Sequence, residues 1–315
     1  MPCFNCGEYV GRSIASILWQ TFEQFEFIII NDGSIDNSDI EIKKYLNDNR
    51  IKYIFLKKNV GNYVARNIGM KMATGKYICV MDADDISNRD RLLLQYKYLE
   101  KNRSIGCLGS QGFWIDSNDS ITGELNKPTN ANRLKVFLLK DNFTLHSSLM
   151  FLRKVIIQNN LFYNEKFRYA ADYEFVVRFS SLSKIINVED RLLHYRVHDN
   201  QISRLRYKFQ VNTVRQVRIE QLRNMGIIVS MKEANLYNRL LEGCKLSTKE
   251  FELIVEFLNI ILENNRALKR FNQNILFNFF ERELINAQIR FIRDRVRKKR
   301  DSVTFLNDQY CEKKQ

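Results

Sequence analysis

Short apolar runs alternate with segments of helical spacing in the first third of the chain, and this alternation limits the fold more than any other feature. Helical spacing is present in EYVGRSIASILWQTF, SDIEIKKYLNDN and GNYVARNIGMKMATG. Strand and helix recur roughly every thirty residues, which predicts an α/β fold with a mostly parallel, Rossmann-like sheet between helices. The predicted strands are FEFIII (25–30), IKYIFL (51–56) and KYICVM (76–81).

The composition changes near residue 205. From Arg204 onward there are 23 Lys and Arg against 13 Asp and Glu, in a chain whose formal net charge is +14. KEFELIVEFLNIILENN and NQNILFNFFERELINAQIRFIRDRVRKKR have helical spacing in this part. The sequence therefore predicts an α/β domain over residues 1–204 and a basic, α-helical region over 205–315 that packs on it.

Several classes of protein are disfavoured. No apolar run reaches the ~18 residues of a membrane-spanning helix, and no secretory signal is recognisable. Six scattered cysteines suit a reducing compartment, so we expect a cytoplasmic protein. The C-x-x-C pair of Cys3 and Cys6 is interpreted as incidental, with redox chemistry as the alternative. No nucleic-acid motif accompanies the basic charge, so no nucleic-acid partner is expected.

The segment VMDADD (80–85) gathers three carboxylates directly after a predicted buried strand. Ligands of open α/β sheets bind beyond the carboxyl ends of the strands, and clustered carboxylates repel each other unless a positive charge neutralises them. A divalent cation is one solution. The alternative is a solvated loop in which Asp85 or Ser87 caps the next helix. We expect Asp85 to do so, but a cap does not explain Asp82 or Asp84.

Two neighbouring loops are also polar. Asp32, in NDGS, can accept hydrogen bonds from a nucleobase or from loop N–H groups, and the ordinary turn is favoured by spacing alone. Gly61 and Arg66, in NVGNYVARNIG, suit a phosphate at a helix N-terminus. For Arg66 alone, a place on the solvent face of the helix is the better interpretation.

Three further side chains are ambiguous from local sequence. Asp172, in YAADYEF, is either a general base or an acid in the first turn of a helix. His198, in YRVH, can bind a metal or phosphate, although a lone histidine near a strand end is more often structural. The same structural interpretation applies to His146 and His194.

The order and spacing of these pieces resemble family 2 glycosyltransferases of the GT-A fold. The matching segments are MPCFN, QTFEQFEFIIINDGSIDNS, NVGNYVARNIGMKMATGKYICVMDADD, HSSLMFLRKV, AADYEFVVRF and YRVH, which together cover residues 1–203.

The resemblance implies roles for individual residues. Asp84 would bind Mn²⁺ or Mg²⁺, His198 would join it at the donor phosphates, and Asp172 would be the general base. Asp82 would contact the ribose or support the metal. The nucleotide-sugar site would comprise Pro2, Cys3, Phe4, Asn5, Asp32, Gly61, Arg66, Asp82 and Ala83.

The implied function is inverting transfer of a hexosyl or N-acetylhexosaminyl group from a UDP-sugar to a hydroxyl. The acceptor would be a carbohydrate or lipid-linked saccharide, as in surface polysaccharide or glycolipid synthesis. Residues 290–300 suggest peripheral contact with the inner face of the membrane. The alternatives are a non-catalytic nucleotide-sugar binder or scaffold and, less in keeping with the nucleotide-type loops, a glycoside hydrolase.

Three features depart from the family pattern. Relatives have apolar residues before MPxYN that form a central strand, so we expect that strand to be mostly missing here, with the true start upstream or the chain trimmed. Ala171 replaces the usual Glu before the base Asp. Phe4 replaces the usual Tyr, which keeps a stacking face and loses a hydroxyl.

Overall fold

The computed structural model describes residues 1–199, 201 and 206–312, with the backbone alone described for 294–312. It divides into two compact units, Met1–Val217 and Arg218–Gln315. The boundary predicted near residue 205 lies shortly before this division and stays a prediction. Within the described part of the chain, no helix combines the length and apolar character needed to cross a bilayer.

The first unit is an α/β structure. Its strands are β1 (Pro2–Cys3), β2 (Phe27–Asn31), β3 (Ile51–Phe55), β4 (Tyr77–Cys79), β5 (Ile86–Ser87), β6 (Ile105–Ile115), β7 (Ile121–Leu125), β8 (Met150–Leu152) and β9 (Lys184–Arg196). Its helices are α1 (Val10–Leu18), α2 (Ser38–Lys43), α3 (Asn62–Met72), α4 (Arg91–Lys101), α5 (Ala131–Phe137), α6 (Arg153–Gln158) and α7 (Ala171–Leu182), followed by α8 (Tyr207–Arg223), which crosses into the second unit.

β1, β2 and β3 form a parallel sheet that is covered on both faces. Side chains alternate across a strand, so Ile28 and Ile30 of β2 pack against α3, while Phe27 and Ile29 pack against α1. The predicted parallel sheet between helices is thus confirmed, and it directs the loops after β1, β2 and β3 to one edge.

The second sheet is mixed. Its order is β4-β8-β6-β9-β5, with β7 paired to β6. β6 runs parallel to β9, whereas β4–β8, β5–β9 and β6–β7 are antiparallel. β9 matters most for the site, because it ends at Arg196, close to the acidic loop that follows β4.

In the described residues the strands form two sheets that are not paired with each other. β1 comprises two residues, and the nitrogen of Met1 extends its pairing by one bond to Ile28 O at 2.7 Å. A cavity of ≈ 240 Å³ lies between β2 and β4, lined by Ile28, Ile30, Ile78 and Val80 among others. The expectation about the central strand stays a prediction.

The second unit is helical over its described residues, with α9 (Met231–Leu241), α10 (Thr248–Leu268) and α11 (Gln273–Glu312). Ser230 and Ser247 each begin a helix with a capping box, in which the third helical residue is Glu233 or Glu250. Such caps satisfy N–H groups that the helix cannot pair itself. The predicted helical character of the C-terminal region is confirmed.

Candidate active site

The loops after β1 and β2 are bound to each other. Asn5 N donates to Ser34 Oγ at 3.0 Å, and Ile35 N donates to Asn5 Oδ1 at 3.0 Å. Gly33 has φ +73°, and a Cβ there would lie 2.7 Å from the carbonyl carbon of Lys58. Only glycine fits this close approach, so the NDGS loop has a fixed shape beside the loop before α3.

Asp32 connects the same two loops. Its side chain is 1 % exposed, and its carboxylate accepts hydrogen bonds from Val60 N at 2.8 Å and Gly61 N at 2.9 Å. The sequence allowed two kinds of donor to Asp32, a nucleobase and loop N–H groups, and the bonds from loop N–H groups are observed. Its contact with a nucleobase stays a prediction. Gly61, with φ +101°, directly precedes α3.

Arg66 lies in the protein interior, not on the solvent face of α3 as its local sequence suggested. It is 7 % exposed and forms an ion pair with Asp82. The interior position is possible because Asp82 compensates its charge. Burial opposes ionisation of Asp82, but the charge and hydrogen bond of Arg66 together with the other nearby positive charges outweigh it, so the pKa of Asp82 lies below its ordinary value. Asp82 is therefore a fixed anion at neutral pH.

Asp84 and His198 meet although 114 residues separate them. Asp84 Oδ2 lies 3.1 Å from His198 Nε2, and both side chains are partly exposed. The His198 ring also contacts Tyr9, with centroids 5.0 Å apart. Carboxylate oxygen and imidazole nitrogen are both ordinary metal ligands. The observed proximity of Asp84 and His198 is therefore compatible with the predicted binding of one metal ion by both side chains.

The side chains of Asp84 and His198 suit a cation that is also bound by a substrate. Among the described residues, no group of three or more His, Cys, Asp and Glu side chains is arranged to hold a metal ion. A cation bound through one or two protein ligands and completed by phosphate oxygens and water, as is usual for Mg²⁺, needs no such group. Asp84 and His198 fit that description.

The expected helix cap at Asp85 is wrong. The residue before α4 is Asp90, and it makes no side-chain capping bond. Asp85 is instead buried, accepting hydrogen bonds from Ser147 Oγ and from Arg196 N. Its burial, with the nearby Asp84 charge, raises its pKa well above the ordinary value. Asp85 therefore connects the acidic loop to β9.

Arg196 is a residue whose role the sequence did not reveal. It is fully buried, and its Nε donates to Asp84 O at 2.7 Å while Nη1 donates to Asp116 O at 2.7 Å. Nη2 forms an ion pair with Asp119. In the sequence, the one signal that could have indicated this role is the position of Arg196 two residues before His198. Arg196 holds the Asp84 loop against the end of β9.

Asp172 lies in the first turn of α7 and is held by neutral groups. Oδ1 accepts from Tyr63 Oη at 3.1 Å, and Oδ2 accepts from Asn142 Nδ2 at 3.0 Å. The side chain is partly exposed. Neither partner was indicated by the sequence, because each lies far from Asp172 along the chain and has no motif of its own.

His146 lies between the two groups of acids. Its Nε2 hydrogen-bonds with Tyr163 Oη at 2.8 Å, which agrees with the structural interpretation. Burial and then the charge of Arg66 lower the pKa of His146 to about 4, opposed by the charges of Asp172 and Asp82. The charges of Asp82, Arg66 and Asp172 thus all act on the His146 imidazole.

The remaining predicted contacts differ in exposure. Phe4 is 44 % exposed, so its ring is open to stacking, and Pro2 is partly exposed. Cys3 and Ala83 are buried in the core, which leaves their backbone as the part able to face a ligand. Ala171 is fully buried.

The chain belongs to glycosyltransferase family 2, whose family model matches residues 1–160. It is 37 % identical over 214 residues to the uncharacterized glycosyltransferase MJ1057 of Methanocaldococcus jannaschii, covering 65 % of this chain and 73 % of that one.

Solved structures share its GT-A fold. Staphylococcus aureus TarS, residues 1–349 in complex with UDP-GlcNAc, matches with a TM-score of 0.61 and 16 % identity, over 93 % of this chain and 90 % of that one. The mannosyltransferase PcManGT of Pyrobaculum calidifontis, in complex with GDP-Man and Mn²⁺, matches with a TM-score of 0.55 and 15 % identity, over 93 % and 86 %.

Proposed function

We propose that the protein transfers a hexosyl or N-acetylhexosaminyl group from a UDP-sugar to an acceptor hydroxyl, with inversion at the anomeric carbon. The observation that carries the proposal is the separation of acids into two kinds. Asp82 pairs with the cation of Arg66 and Asp84 lies beside His198, whereas the hydrogen-bond partners of Asp172 are neutral. Transfer needs both kinds, because charge develops on the leaving diphosphate while a proton leaves the acceptor.

The nucleotide would bind against the joined loops after β1 and β2. Phe4 offers an exposed ring for base stacking, and Asp32 keeps lone pairs beyond those used by Val60 and Gly61. Asp82 would contact the ribose or support the metal. UDP as the nucleotide is favoured by the UDP-GlcNAc complex of TarS, which has the same fold.

Asp84 and His198 would hold Mn²⁺ or Mg²⁺ on the diphosphate. The cation would stabilise the negative charge that grows on the leaving group as the sugar–phosphate bond breaks. The Mn²⁺ complex of PcManGT favours a metal for this fold. Arg196 and Asp85 would keep the Asp84 loop and His198 in register.

Asp172 would accept the acceptor proton on a carboxylate oxygen as the hydroxyl oxygen attacks the anomeric carbon. General bases of this kind contribute about 10²–10⁴-fold in rate. We infer that Asp172 lies across the anomeric carbon from the diphosphate, so that attack is opposite the leaving group. That geometry inverts the anomeric configuration.

The test is a donor panel. Purified protein is incubated with UDP-glucose, UDP-galactose and their N-acetyl forms, with Mn²⁺ or with a chelator, and UDP release is measured. We expect release from at least one donor that depends on the metal. Measurable UDP binding without release from any donor would refute transferase activity and support the alternative of a non-catalytic binder or scaffold.

That alternative has one specific observation in its favour. Ala171 stands where relatives have a Glu before the base, and it is fully buried. An Ala171→Glu variant separates the two functions. A catalytic protein changes its rate of UDP release on this substitution, whereas a scaffold stays inactive with and without it.

We further propose that the acceptor is a saccharide on a lipid or polysaccharide, reached by peripheral contact of α11 with an anionic membrane. Ile285, Ile289 and Ile292 are 48 %, 41 % and 53 % exposed, and Arg293 lies in the same segment. The basic side chains of 294–300, on which the prediction also rested, lie outside the described residues. Exposed apolar and basic groups together suit an anionic bilayer surface.

Vesicle co-sedimentation tests this contact. The full chain should sediment with vesicles containing phosphatidylglycerol and remain free with pure phosphatidylcholine. Serine substitutions at the three isoleucines should abolish sedimentation, whereas Ile121→Ser, at an exposed site in the first unit, should not. Equal sedimentation of all variants would refute the assignment.

A further inference from the structure

The first turn of α3 contacts both halves of the site. Tyr63 donates its hydroxyl to Asp172 Oδ1 at 3.1 Å, and Arg66, three residues later, pairs with Asp82. Residues three apart lie on one face of a helix, with Cβ atoms about 5–6 Å apart. One turn of α3 therefore fixes Asp172 relative to Asp82.

Asn142 holds the other oxygen of Asp172. Its Nδ2 donates to Oδ2 at 3.0 Å. Its own Oδ1 accepts from Thr144 N at 3.1 Å and from Thr144 Oγ1 at 2.6 Å. Because a backbone N–H can only donate, the amide atom facing it must be the oxygen, and the NH₂ group must face Asp172.

Tyr63 is itself held in place. Its ring stacks on Tyr163, with centroids 5.5 Å apart, and the Tyr163 hydroxyl hydrogen-bonds with His146 at 2.8 Å. Burial and the charge of Asp172 raise the pKa of Tyr63 well above its ordinary value. Tyr63 therefore stays a neutral hydroxyl donor throughout the physiological pH range.

We propose that Tyr63 and Asn142 are positioning residues for Asp172, which together fix the direction in which its carboxylate receives the acceptor proton. The proposal rests on the proposed role of Asp172 as base. An ionised carboxylate has about four acceptor sites, so one donor on each oxygen leaves sites free for the acceptor. Two donors from different segments also prevent rotation of the carboxylate, and neutral donors stabilise the anion without cancelling its charge.

The Tyr63→Phe variant removes one hydroxyl and keeps the ring stacking. A small misplacement of a catalytic group can lower the rate by up to about a hundredfold, so we expect kcat for UDP release to fall by at least about tenfold. The acid limb of the pH–rate profile should move as well, because the proposal has Tyr63 act through Asp172. The UDP dissociation constant and the unfolding free energy should change little.

The Asn142→Asp variant replaces a donor by a second carboxylate about 3 Å from Asp172. Like charges so close cannot both ionise readily, so the acid limb should move further than in Tyr63→Phe. The two carboxylates will titrate as a pair, so the acid limb of the pH–rate profile will reflect the pair and not one residue.

Two matched controls lie outside the site. Tyr77 Oη donates to Glu100 Oε1 at 2.9 Å, so Tyr77→Phe removes the same kind of bond elsewhere. Asn159 is exposed and donates to Val155 O, so Asn159→Asp introduces the same charge on the surface. Both should keep the wild-type kcat and pH profile.

Three outcomes separate this inference from the proposed function. If Asp172→Asn loses release but Tyr63→Phe and Asn142→Asp keep the wild-type kcat and acid limb, positioning is refuted and the base assignment stands. If Tyr63→Phe lowers the rate equally in wild-type and Asp172→Asn backgrounds, Tyr63 does not act through Asp172, and positioning is refuted. Wild-type release by Asp172→Asn, or no release by the wild type, refutes the base role and this inference with it.

Discussion

The two halves of the site differ in the charge of the groups that hold their carboxylates. On the donor side, Asp82 pairs with the guanidinium of Arg66, and Asp84 Oδ2 lies 3.1 Å from His198 Nε2. On the other side, Asp172 is held by a phenol and an amide, both neutral. A carboxylate beside a fixed cation stays an anion and is a poor proton acceptor, whereas one held by neutral donors can accept a proton. The arrangement thus suits the proposed separation of charge handling from proton transfer.

The largest expected effect is the loss of the proton acceptor. Asp172→Asn should lower the initial rate of transfer by about 10²–10⁴-fold, because the amide keeps the shape of the carboxylate but cannot take the proton. UDP affinity, measured by calorimetry, should remain that of the wild type. Near-normal transfer would show that the neutral half of the site does not supply the base.

In the donor half, breaking the buried ion pair should lower the unfolding free energy. Arg66→Met leaves Asp82 without its cation, and we expect the unfolding free energy to fall by about 3 kcal/mol, the lower end for a broken buried pair because Asp82 is partly exposed. Denaturant unfolding measures it. Lys52→Met, which breaks the exposed pair with Glu26, should cost no more than about 1 kcal/mol. Equal losses would mean that the Arg66 pair behaves as a surface contact.

Arg196 should affect metal affinity. Arg196→Lys keeps the charge but cannot reach Asp84 O and Asp116 O together, since Lys carries a single nitrogen. Loss of such supporting contacts weakens metal binding by about 10–100-fold. The measurement is Mn²⁺ titration in the presence of UDP. Arg191→Lys, on the same strand and paired with Glu124, is the control, and unchanged affinity in Arg196→Lys would contradict the role given to Arg196.

A further expected effect is a pH dependence of stability from His146, on which charges of both halves act. Its pKa of about 4 in the folded protein is below the ordinary ~6.5, so in this window the unfolded chain binds a proton that the folded chain does not. The unfolding free energy should therefore fall as pH falls from about 6.5 toward 4 and be independent of His146 above that window. His146→Gln should have a shallower slope over this range, and parallel curves would contradict the low pKa.

The sequence carries a clearer signal for the acids of the donor half than for the groups that hold Asp172. Asp82 and Asp84 lie directly after an apolar run, so periodicity and charge alone identify them as unusual. Arg66 was placed on the solvent face because helical spacing does not report which neighbour compensates a charge. Asp85 was taken for a cap because the fold, not the local sequence, brings Ser147 and β9 to it.

The neutral half carries no comparable signal. Tyr63 and Asn142 are separated from Asp172 by 109 and 30 residues and are common residue types, so their convergence depends on tertiary packing. The fold was predictable to the level of an α/β sheet and a helical C-terminal region. The mixed second sheet was not, because pairing partners such as β4 and β8 are chosen by packing rather than by strand propensity.

The most direct test of the division between the two halves is UDP binding with and without Mn²⁺, measured by calorimetry on the wild type, Asp84→Ala and Asp172→Asn. We predict that Mn²⁺ tightens UDP binding in the wild type and equally in Asp172→Asn, and that it has no effect in Asp84→Ala. A Mn²⁺ effect that survives in Asp84→Ala, or that disappears in Asp172→Asn, would contradict the assignment of charge handling and proton transfer to separate halves.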